Sequence, residues 1–172
     1  MARSGETLTY RQLDERSNQL AHALRAQGLG RGDHVALYME NQIRYMEIVW
    51  ACLRSGLYIT AINSYLTSEE VGYIIDDCDA EIMISSRAKA DQAAIIDPAT
   101  TPKVQRWLMT DGVASDPGGA VWESFEDVVA AQPVTQIDDE STGFYMLYSS
   151  GTTGRPKGIK RALPEIPVGV LD

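Results

Sequence analysis

Short apolar runs alternate with longer amphipathic segments along this chain. The short runs predict strands over residues 7–10, 35–39, 58–62, 81–84, 104–109 and 144–148. Apolar residues at helical spacing, with an N-cap signal at Thr67, predict helices over 11–27, 43–54, 67–77, 87–96 and 122–131. Residues 111–120 are rich in Gly, Asp, Ser and Pro and predict a loop.

This order of elements predicts the fold class. Strands that alternate with helices are typical of βαβ units, which build a mainly parallel sheet. Right-handed crossovers place helices on both faces of that sheet, so we expect an α/β protein with three layers. Ligands in such sheets bind at the carboxyl ends of the strands. The last predicted strand, 144–148, runs directly into a glycine-rich segment.

The charges limit the classes of partner. Lys and Arg number 15 against 24 Asp and Glu, which gives a formal net charge of −9. That field repels a nucleic-acid duplex or an anionic membrane surface, so we expect no nucleic-acid partner. The locally positive segment lies after residue 150, where four basic residues stand against two acidic ones.

The cysteines and apolar runs bear on cellular location. Cys52 and Cys78 are far apart and match no redox or metal-binding spacing, so we expect buried free thiols, which are typical of a reducing compartment. No run approaches the roughly 20 apolar residues that a transmembrane helix needs. Residues 1–9 lack the pattern of a secretory signal. We therefore expect a cytoplasmic protein without a transmembrane segment.

The segment SSGTTGRPKG, from Ser149 to Gly158, has the composition of a phosphate-binding loop. Its glycines permit backbone turns that leave amides facing an anion. Its four hydroxyl groups add donors, and Lys157 adds a mobile positive charge. The bland alternative is a polar surface loop, but this density of donors in one segment favours a polyphosphate site.

The loop differs from a Walker A motif. That motif places Gly-Lys and then Ser or Thr after its first glycine. Counted from Gly151, the lysine stands at the right offset, but Pro156 replaces the second glycine and Gly158 replaces the hydroxyl residue. A P-loop NTPase is therefore a poor interpretation.

The stretch YSSGTTGRPKG, residues 148–158, matches the signature of the adenylate-forming, AMP-binding enzymes. That superfamily includes acyl-CoA synthetases, coumarate-CoA ligases, luciferases and the adenylation domains of peptide synthetases. Four further stretches resemble it in order and spacing: LTYRQLDERSNQLAHAL, GRGDHVALYMENQ, ACLRSGLYITAIN and LTSEEVGYIIDDCDAEIMI. The resemblance covers nearly the whole chain and implies part of the N-terminal domain of a longer enzyme.

The resemblance implies a two-step reaction. A carboxylate attacks the α-phosphate of ATP to give an acyl-adenylate and pyrophosphate, and a thiol, usually that of coenzyme A, then takes the acyl group. In the family this loop holds the β- and γ-phosphates. By position, the residues implied to bind ATP are Ser149, Ser150, Gly151, Thr152, Thr153, Gly154 and Lys157. The resemblance also implies that Gly154 and Gly158 let the backbone bend. Magnesium is implied as well, with ligands largely outside this chain, and no catalytic residue falls within it.

The resemblance leaves the type of ligase open. Acyl-CoA synthetases, with a fatty or aryl acid as the expected substrate, fit better than peptide-synthetase domains, which favour a proline-rich version of the strand near Ala61 and Ser64. A second hypothesis belongs to another class: a non-catalytic fragment or interaction module that keeps the loop without turnover. The oligomeric state is not predicted.

The family's acyl pocket and C-terminal lysine lie beyond residue 172, so we expect a fragment that is inactive alone. We expect residues 1–162 to form a partial AMP-binding domain and residues 163–172 to form an extended or disordered tail. A sheet cut from its neighbours exposes an edge and apolar faces. We therefore expect the isolated chain to be marginally stable or prone to aggregation.

Other chemistry-bearing residues are assigned structural roles. The acidic runs 76–79 and 138–140 lack calcium-loop spacing, and a solvated helix end and a linker are expected there. His22 and His34 have no partner motif for catalysis. The aromatic residues Tyr45, Trp50 and Tyr58 are expected in the core, because no basic residues interleave with them.

Overall fold

The alternation of helices and strands follows the hydrophobic pattern over most of the chain. The structure is a computed structural model, and it describes residues 5–113, 120–149 and 155–169. The helices are α1 (Tyr10–Ala26), α2 (Ile43–Arg54), α3 (Ser68–Asp77), α4 (Ala90–Ala93) and α5 (Phe125–Ala130). The strands are β1 (His34–Tyr38), β2 (Tyr58–Ile62), β3 (Ile82–Ser86), β4 (Arg106–Thr110), β5 (Trp122–Ser124), β6 (Phe144–Ser149) and β7 (Lys157–Lys160).

Within the described residues, the strands form one seven-stranded sheet in the order β5-β4-β3-β1-β2-β6-β7. Every neighbouring pair is parallel except β6 and β7, which are antiparallel. The predicted α/β fold with a mainly parallel sheet is therefore confirmed.

Two apolar clusters cover the two faces of the sheet. Alternate residues of β1 separate between them, with Val35 and Leu37 in one cluster and Ala36 and Tyr38 in the other. The first cluster contains residues of α1, α2 and α5, and the second contains residues of α3 and α4. Because side chains alternate between the faces of a strand, this division places helices on both faces and gives the three predicted layers.

The predicted strand over residues 7–10 is wrong. Residues 7–9 form no strand, and Tyr10 begins α1. Thr9 is the N-cap of that helix: its hydroxyl accepts from the Gln12 amide, and the Gln12 side chain accepts in turn from the Thr9 amide. This capping box stabilises the helix start, and its local hydrogen bonds outweigh the strand propensity of the segment.

The predicted helix over residues 122–131 begins too early. Residues Trp122–Ser124 form β5, which pairs with β4 through Trp107↔Trp122 at the edge of the sheet. The Trp122 side chain is buried there against Trp107, with ring centroids 5.3 Å apart. The helix starts only at Phe125, capped by the Ser124 hydroxyl. Burial of the tryptophan pair against the sheet decides the strand.

Two further expectations differ from the structure. The helix expected over residues 87–96 shortens to a 3-10 turn, Arg87–Lys89, followed by α4. Trp50, expected in the core, lies on the outer side of α2 with 41% of its surface exposed. The expected loop over 111–120 lies partly outside the described residues, which resume at Ala120.

The cysteines are buried free thiols, as predicted. Burial raises the pKa of the Cys52 thiol far above its usual range and that of Cys78 to about 11. Among the described residues, no helix has the length and apolar character needed to cross a bilayer.

The segment after β7 runs over the surface without helix or strand as far as Gly169. Arg31 donates to the carbonyl of Pro164 at 2.9 Å, and the Thr142 hydroxyl donates to the carbonyl of Ile166 at 2.6 Å. The division of the chain at residue 162 stays a prediction.

One face of the β6–β7 pair is apolar and open. Leu147 and Ile159 face each other across the two strands and are 54% and 56% exposed. Exposed apolar pairs next to an edge strand favour association. The expectation of a marginal or aggregation-prone chain stays a prediction, with this face as its structural basis.

Candidate phosphate-binding site

The glycine-rich segment connects the antiparallel strands β6 and β7. Ser149 and Lys157 are paired residues, and they are the last pair before the connection. Both are exposed. The candidate residues between them lie outside the described part of the chain: Ser150, Gly151, Thr152, Thr153 and Gly154. The structure therefore places the two ends of the predicted site, at the carboxyl end of β6.

A pocket of about 240 Å³ lies beside this connection. Its walls include the end of β2 at Ile62 and Asn63, the end of β6 at Ser149, and Arg155 and Glu70. β2 and β6 are parallel neighbours, so the pocket opens at the carboxyl edge of the sheet, where α/β proteins bind ligands. Hydroxyl, amide and guanidinium groups at its mouth can donate hydrogen bonds to an anion.

Glu70, at the pocket wall, caps the N-terminus of α3. Its carboxylate accepts from the Thr67 amide at 2.9 Å and from the Thr67 hydroxyl at 2.8 Å. These hydrogen bonds hold the pKa of Glu70 below its usual range. The carboxylate completes a capping box at the N-terminus of α3, so the α3 N-terminus is occupied by this chain's own anion.

Gly158 is needed for space rather than for a bend. It pairs with Tyr148 in extended strand, outside the left-handed region of φ. A Cβ there would stand 2.5 Å from Cε of Met146 and 3.0 Å from both Cζ and Oη of Tyr148. The expected bend at Gly158 is therefore corrected, because the glycine lets the Tyr148 side chain lie across β7.

The Tyr148 phenol links the hairpin to the end of α3. Its hydroxyl donates to a carboxylate oxygen of Asp77 at 2.6 Å. Burial, and next the bond to Asp77, raise the pKa of Tyr148 far above its usual range, so it remains a donor at every physiological pH. Tyr73 donates to the other Asp77 oxygen at 3.3 Å. The guanidinium of Arg155 lies over the Tyr73 ring, 5.3 Å from its centroid.

The far end of β7 is fixed at the amino edge of the sheet. The Lys160 ammonium lies 2.8 Å from Nε2 of His34 and 4.4 Å from the centroid of Tyr58. Because an ammonium only donates, Nε2 accepts and the imidazole is neutral. Burial and then the Lys160 charge lower the pKa of His34 to about 4. His34 stacks on Tyr58 and is 4% exposed, which confirms a packing role.

Sequence reasoning missed these anchoring residues. The acidic run 76–79 that contains Asp77 is expected at a solvated helix end, but the hydrogen bond shows that Asp77 is a partner of Tyr148. Tyr148 is in the family signature, but no spacing along the chain pairs it with a residue 71 positions earlier. The one available signal was Gly158, since a glycine opposite a tyrosine on paired strands marks a close approach.

The acidic groups of the structure do not build a metal site. Among the residues that the structure describes, no three His, Cys, Asp or Glu side chains group in a way that could hold a metal ion. Asp79 is bound to Lys103 at 2.5 Å, and that bond keeps the pKa of Asp79 below its usual range. The expectation that the magnesium ligands lie largely outside this chain stays a prediction.

Comparison with known proteins gives the family. Residues 1–162 match the AMP-binding enzyme family. The chain is 34% identical over 161 residues to a 3-oxocholest-4-en-26-oate–CoA ligase of Rhodococcus rhodochrous, covering 92% of this chain and 29% of that protein. It is also 34% identical over 157 residues to the fatty acid–[acyl-carrier-protein] ligase ScoC of Streptomyces coeruleorubidus, covering 90% of this chain and 28% of that one. The chain thus spans less than a third of the length of these relatives.

Solved structures agree with these sequence matches. The anthranilate CoA ligase AuaEII, in complex with anthranoyl-AMP, superposes with a TM-score of 0.77 at 27% identity, covering 90% of this chain and 29% of that one. A fatty acyl CoA synthetase of Mycobacterium tuberculosis superposes with a TM-score of 0.73 at 23% identity, covering 91% and 29%, and so supports the fold. The fold, the signature loop between β6 and β7 and the match over residues 1–162 agree: this chain belongs to the AMP-binding enzyme family.

Proposed function

We propose that this chain is the N-terminal part of an ATP-dependent acyl-CoA synthetase and that its β6–β7 loop binds the β- and γ-phosphates of ATP. In the whole enzyme a carboxylate, most simply that of a fatty acid, displaces pyrophosphate from ATP to form an acyl-adenylate. The thiol of coenzyme A then displaces AMP. The part played by this chain is positioning and electrostatic stabilisation of the pyrophosphate leaving group.

The proposed contacts divide by chemistry. The hydroxyl groups of Ser149, Ser150, Thr152 and Thr153 donate to phosphate oxygens, and the amides freed by Gly151 and Gly154 do the same. Lys157 contributes a positive charge that partly neutralises the triphosphate. Magnesium, when bound with ATP, would offset further charge.

One observation carries this proposal. Ser149 and Lys157 are paired residues of β6 and β7 at the carboxyl edge of the sheet, so a residue with a hydroxyl and a residue with an ammonium stand at the two ends of the glycine-rich connection. A polar surface loop does not require a cation paired with a hydroxyl at its base. An anion bound between the strand ends does require donors on both sides.

The acceptor thiol is the open chemical question within this proposal. The CoA ligase of Rhodococcus rhodochrous and the carrier-protein ligase ScoC are equally similar to this chain, each at 34% identity. The loop acts in adenylation, which precedes thiol attack, and so does not distinguish the two acceptors. We propose coenzyme A because four further relatives at 33% identity are named as CoA ligases. A cytoplasmic location is proposed from the two buried free thiols.

Calorimetry with ATP and magnesium tests the phosphate site. We expect Lys157→Ala to weaken binding by about tenfold, the typical effect of losing one charge-assisted contact. Lys103→Ala is the matched control, because it removes an equal charge from the opposite, amino edge of the sheet. Equal affinities for wild type and Lys157→Ala would refute the assigned role of the loop.

A second candidate is a non-catalytic fragment or interaction module that keeps the loop without turnover. Pyrophosphate–ATP exchange with a panel of acids distinguishes the two candidates. Exchange by this chain alone would refute the non-catalytic reading. Binding of ATP without exchange would support it for the isolated chain, and addition of the remaining segments of the enzyme should then restore exchange.

A further inference from the structure

The last turn of α3 carries a carboxylate where a helix disfavours one. Asp77 is the final residue of α3, and that last turn contains no basic residue. The C-terminal end of a helix carries partial negative charge, so an acid there is destabilising unless donors compensate it. At Asp77 two phenols do so: Tyr148 at 2.6 Å and Tyr73 at 3.3 Å.

The shorter of these bonds crosses from α3 to the hairpin. Tyr148 lies one residue before Ser149, where the candidate phosphate loop begins, and it sits opposite Gly158, one residue after Lys157. The missing Cβ of Gly158 leaves the path for the phenol to reach Asp77. A single side chain therefore ties both strands of the hairpin, at the base of the loop, to the end of α3.

A second link joins the same helix to the exit of the loop. Arg155 lies between the loop and β7, and its guanidinium stacks over the ring of Tyr73. Tyr73 is on α3, four residues before Asp77, and donates to it. The entry and exit of the loop thus converge on one turn of α3.

We propose that Asp77 is a positioning residue for the phosphate loop: by accepting from Tyr148, it holds the base of the β6–β7 hairpin so that Ser149 and Lys157 stay aligned toward a bound triphosphate. This inference rests on the proposed function of the loop. Asp77 itself does not contact the phosphates, since a carboxylate would repel them. It acts through the hydrogen bond from Tyr148, which joins the end of α3 to the base of the hairpin.

The test measures the affinity of the whole chain for tripolyphosphate, which probes the phosphate contacts without the adenosine. We expect Asp77→Ala to weaken binding about fivefold, because the bond is partly exposed and its loss is moderated by water. Asp76→Ala is the matched control: it removes the same charge from the same helix turn, and Asp76 takes no part in the bond to Tyr148. Asp77→Asn keeps an acceptor oxygen and should recover part of the affinity.

A double-mutant cycle separates positioning from charge. Tyr148→Phe should weaken binding as much as Asp77→Ala, and the pair together should be no worse than either alone, because both remove the same bond. Tyr73→Phe, which removes the other phenol but keeps the ring under Arg155, should have little effect. Urea unfolding of each variant checks that affinity falls more than stability does.

The outcomes are distinguishable. Equal affinities for Asp77→Ala and Asp76→Ala, or additive effects of Asp77→Ala and Tyr148→Phe, would overturn the positioning role while leaving the phosphate site intact. If wild type does not bind tripolyphosphate, the proposed phosphate site fails instead. Hydrogen exchange then decides the positioning role alone: amides of 145–149 and 157–160 must exchange faster in Asp77→Ala than in Asp76→Ala, and equal rates would overturn it.

Discussion

Gly143, in the described part of the chain, is a position at which one added methyl group should disrupt the fold. It lies just before β6 and donates its amide to the carbonyl of Leu53 at 2.6 Å. A Cβ at this position would stand 2.4 Å from the oxygen of Leu57, 2.6 Å from the oxygen of Cys52 and 2.9 Å from the nitrogen of Leu57. All three obstacles are backbone atoms, of Cys52 in α2 and of Leu57 just before β2, so no side-chain rotation relieves the contact.

The magnitude follows from the displacement that alanine requires. Carbon and oxygen atoms at 2.4 Å must separate by about 1 Å to reach ordinary contact. That movement disrupts two hydrogen bonds, Gly143 to Leu53 and Phe144 to Leu57, each worth about 1 kcal/mol. Together with overpacking strain of about 1–3 kcal/mol, Gly143→Ala should lower the free energy of unfolding by about 3–5 kcal/mol.

Urea unfolding followed by tryptophan fluorescence measures this loss. With a slope of about 2 kcal/mol per molar urea, the midpoint should fall by about 1.5–2.5 M. Gly30→Ala is the control, because the nearest atom to its Cβ would be the Asp33 carboxylate at 3.9 Å and its φ is not left-handed. That variant should keep the wild-type midpoint. If the two variants had equal midpoints, the backbone approach at Gly143 would not be the constraint described.

Three further changes have expected outcomes. Gly72→Ala, inside α3, should raise the urea midpoint by a stabilisation of about 0.5–1 kcal/mol, because its Cβ would meet Ile96 at an ordinary 3.7 Å; a lower midpoint would contradict this. Thr67→Ala should remove the α3 capping box and cost about 1 kcal/mol in thermal unfolding, and an unchanged transition would refute the cap. The pKa of His34 lies at about 4 in the folded protein, below the 6.5 of the unfolded chain, so the unfolded state takes up the proton first. Wild type should therefore lose about 2 kcal/mol of stability as the pH falls from 6.5 toward 4. His34→Gln should lack this loss. Parallel curves of stability against pH for the two proteins would refute the role of His34.

The long helices and strands could be predicted because the apolar positions along them are also the buried positions. The helix predicted over 43–54 and the strand predicted over 58–62 appear at those residues as α2 and β2. In α2 the buried positions recur at helical spacing, and β2 is buried along nearly its whole length. Burial alone determines such elements, so apolar periodicity is sufficient to find them.

The predictions of secondary structure fail where a capping interaction or a distant partner residue determines where an element begins. Thr9 and Gln12, and likewise Ser124 and Asp127, form local capping pairs that the sequence does contain. Those pairs are the available signal for the starts of α1 and α5. β5 has three residues and exists because Trp122 packs on Trp107. A strand of three residues is too short to show an apolar periodicity in the sequence.

The candidate site also contains residues that a local motif identifies and residues that it does not. The residues expected to touch phosphate are contiguous, so one motif names them all, and the structure places its two ends, Ser149 and Lys157, opposite each other. The side chains that anchor the hairpin come from elsewhere: Asp77 from α3 and His34 from β1. Contacts over 71 and 126 positions of sequence follow from strand order, which no local pattern encodes.

The anchoring at both ends of the hairpin has a physical consequence for anion binding by a glycine-rich segment. Glycines free the amides of a phosphate loop to turn toward an anion, but that freedom costs conformational entropy when the anion binds. If both ends of the loop are fixed before binding, the entropy left to lose is confined to the residues between them. Tyr148 fixes the near end of the hairpin to Asp77, and Lys160 fixes the far end to His34. Gly158 permits the first of these contacts, so in this signature the glycine after the lysine serves the tyrosine across the hairpin.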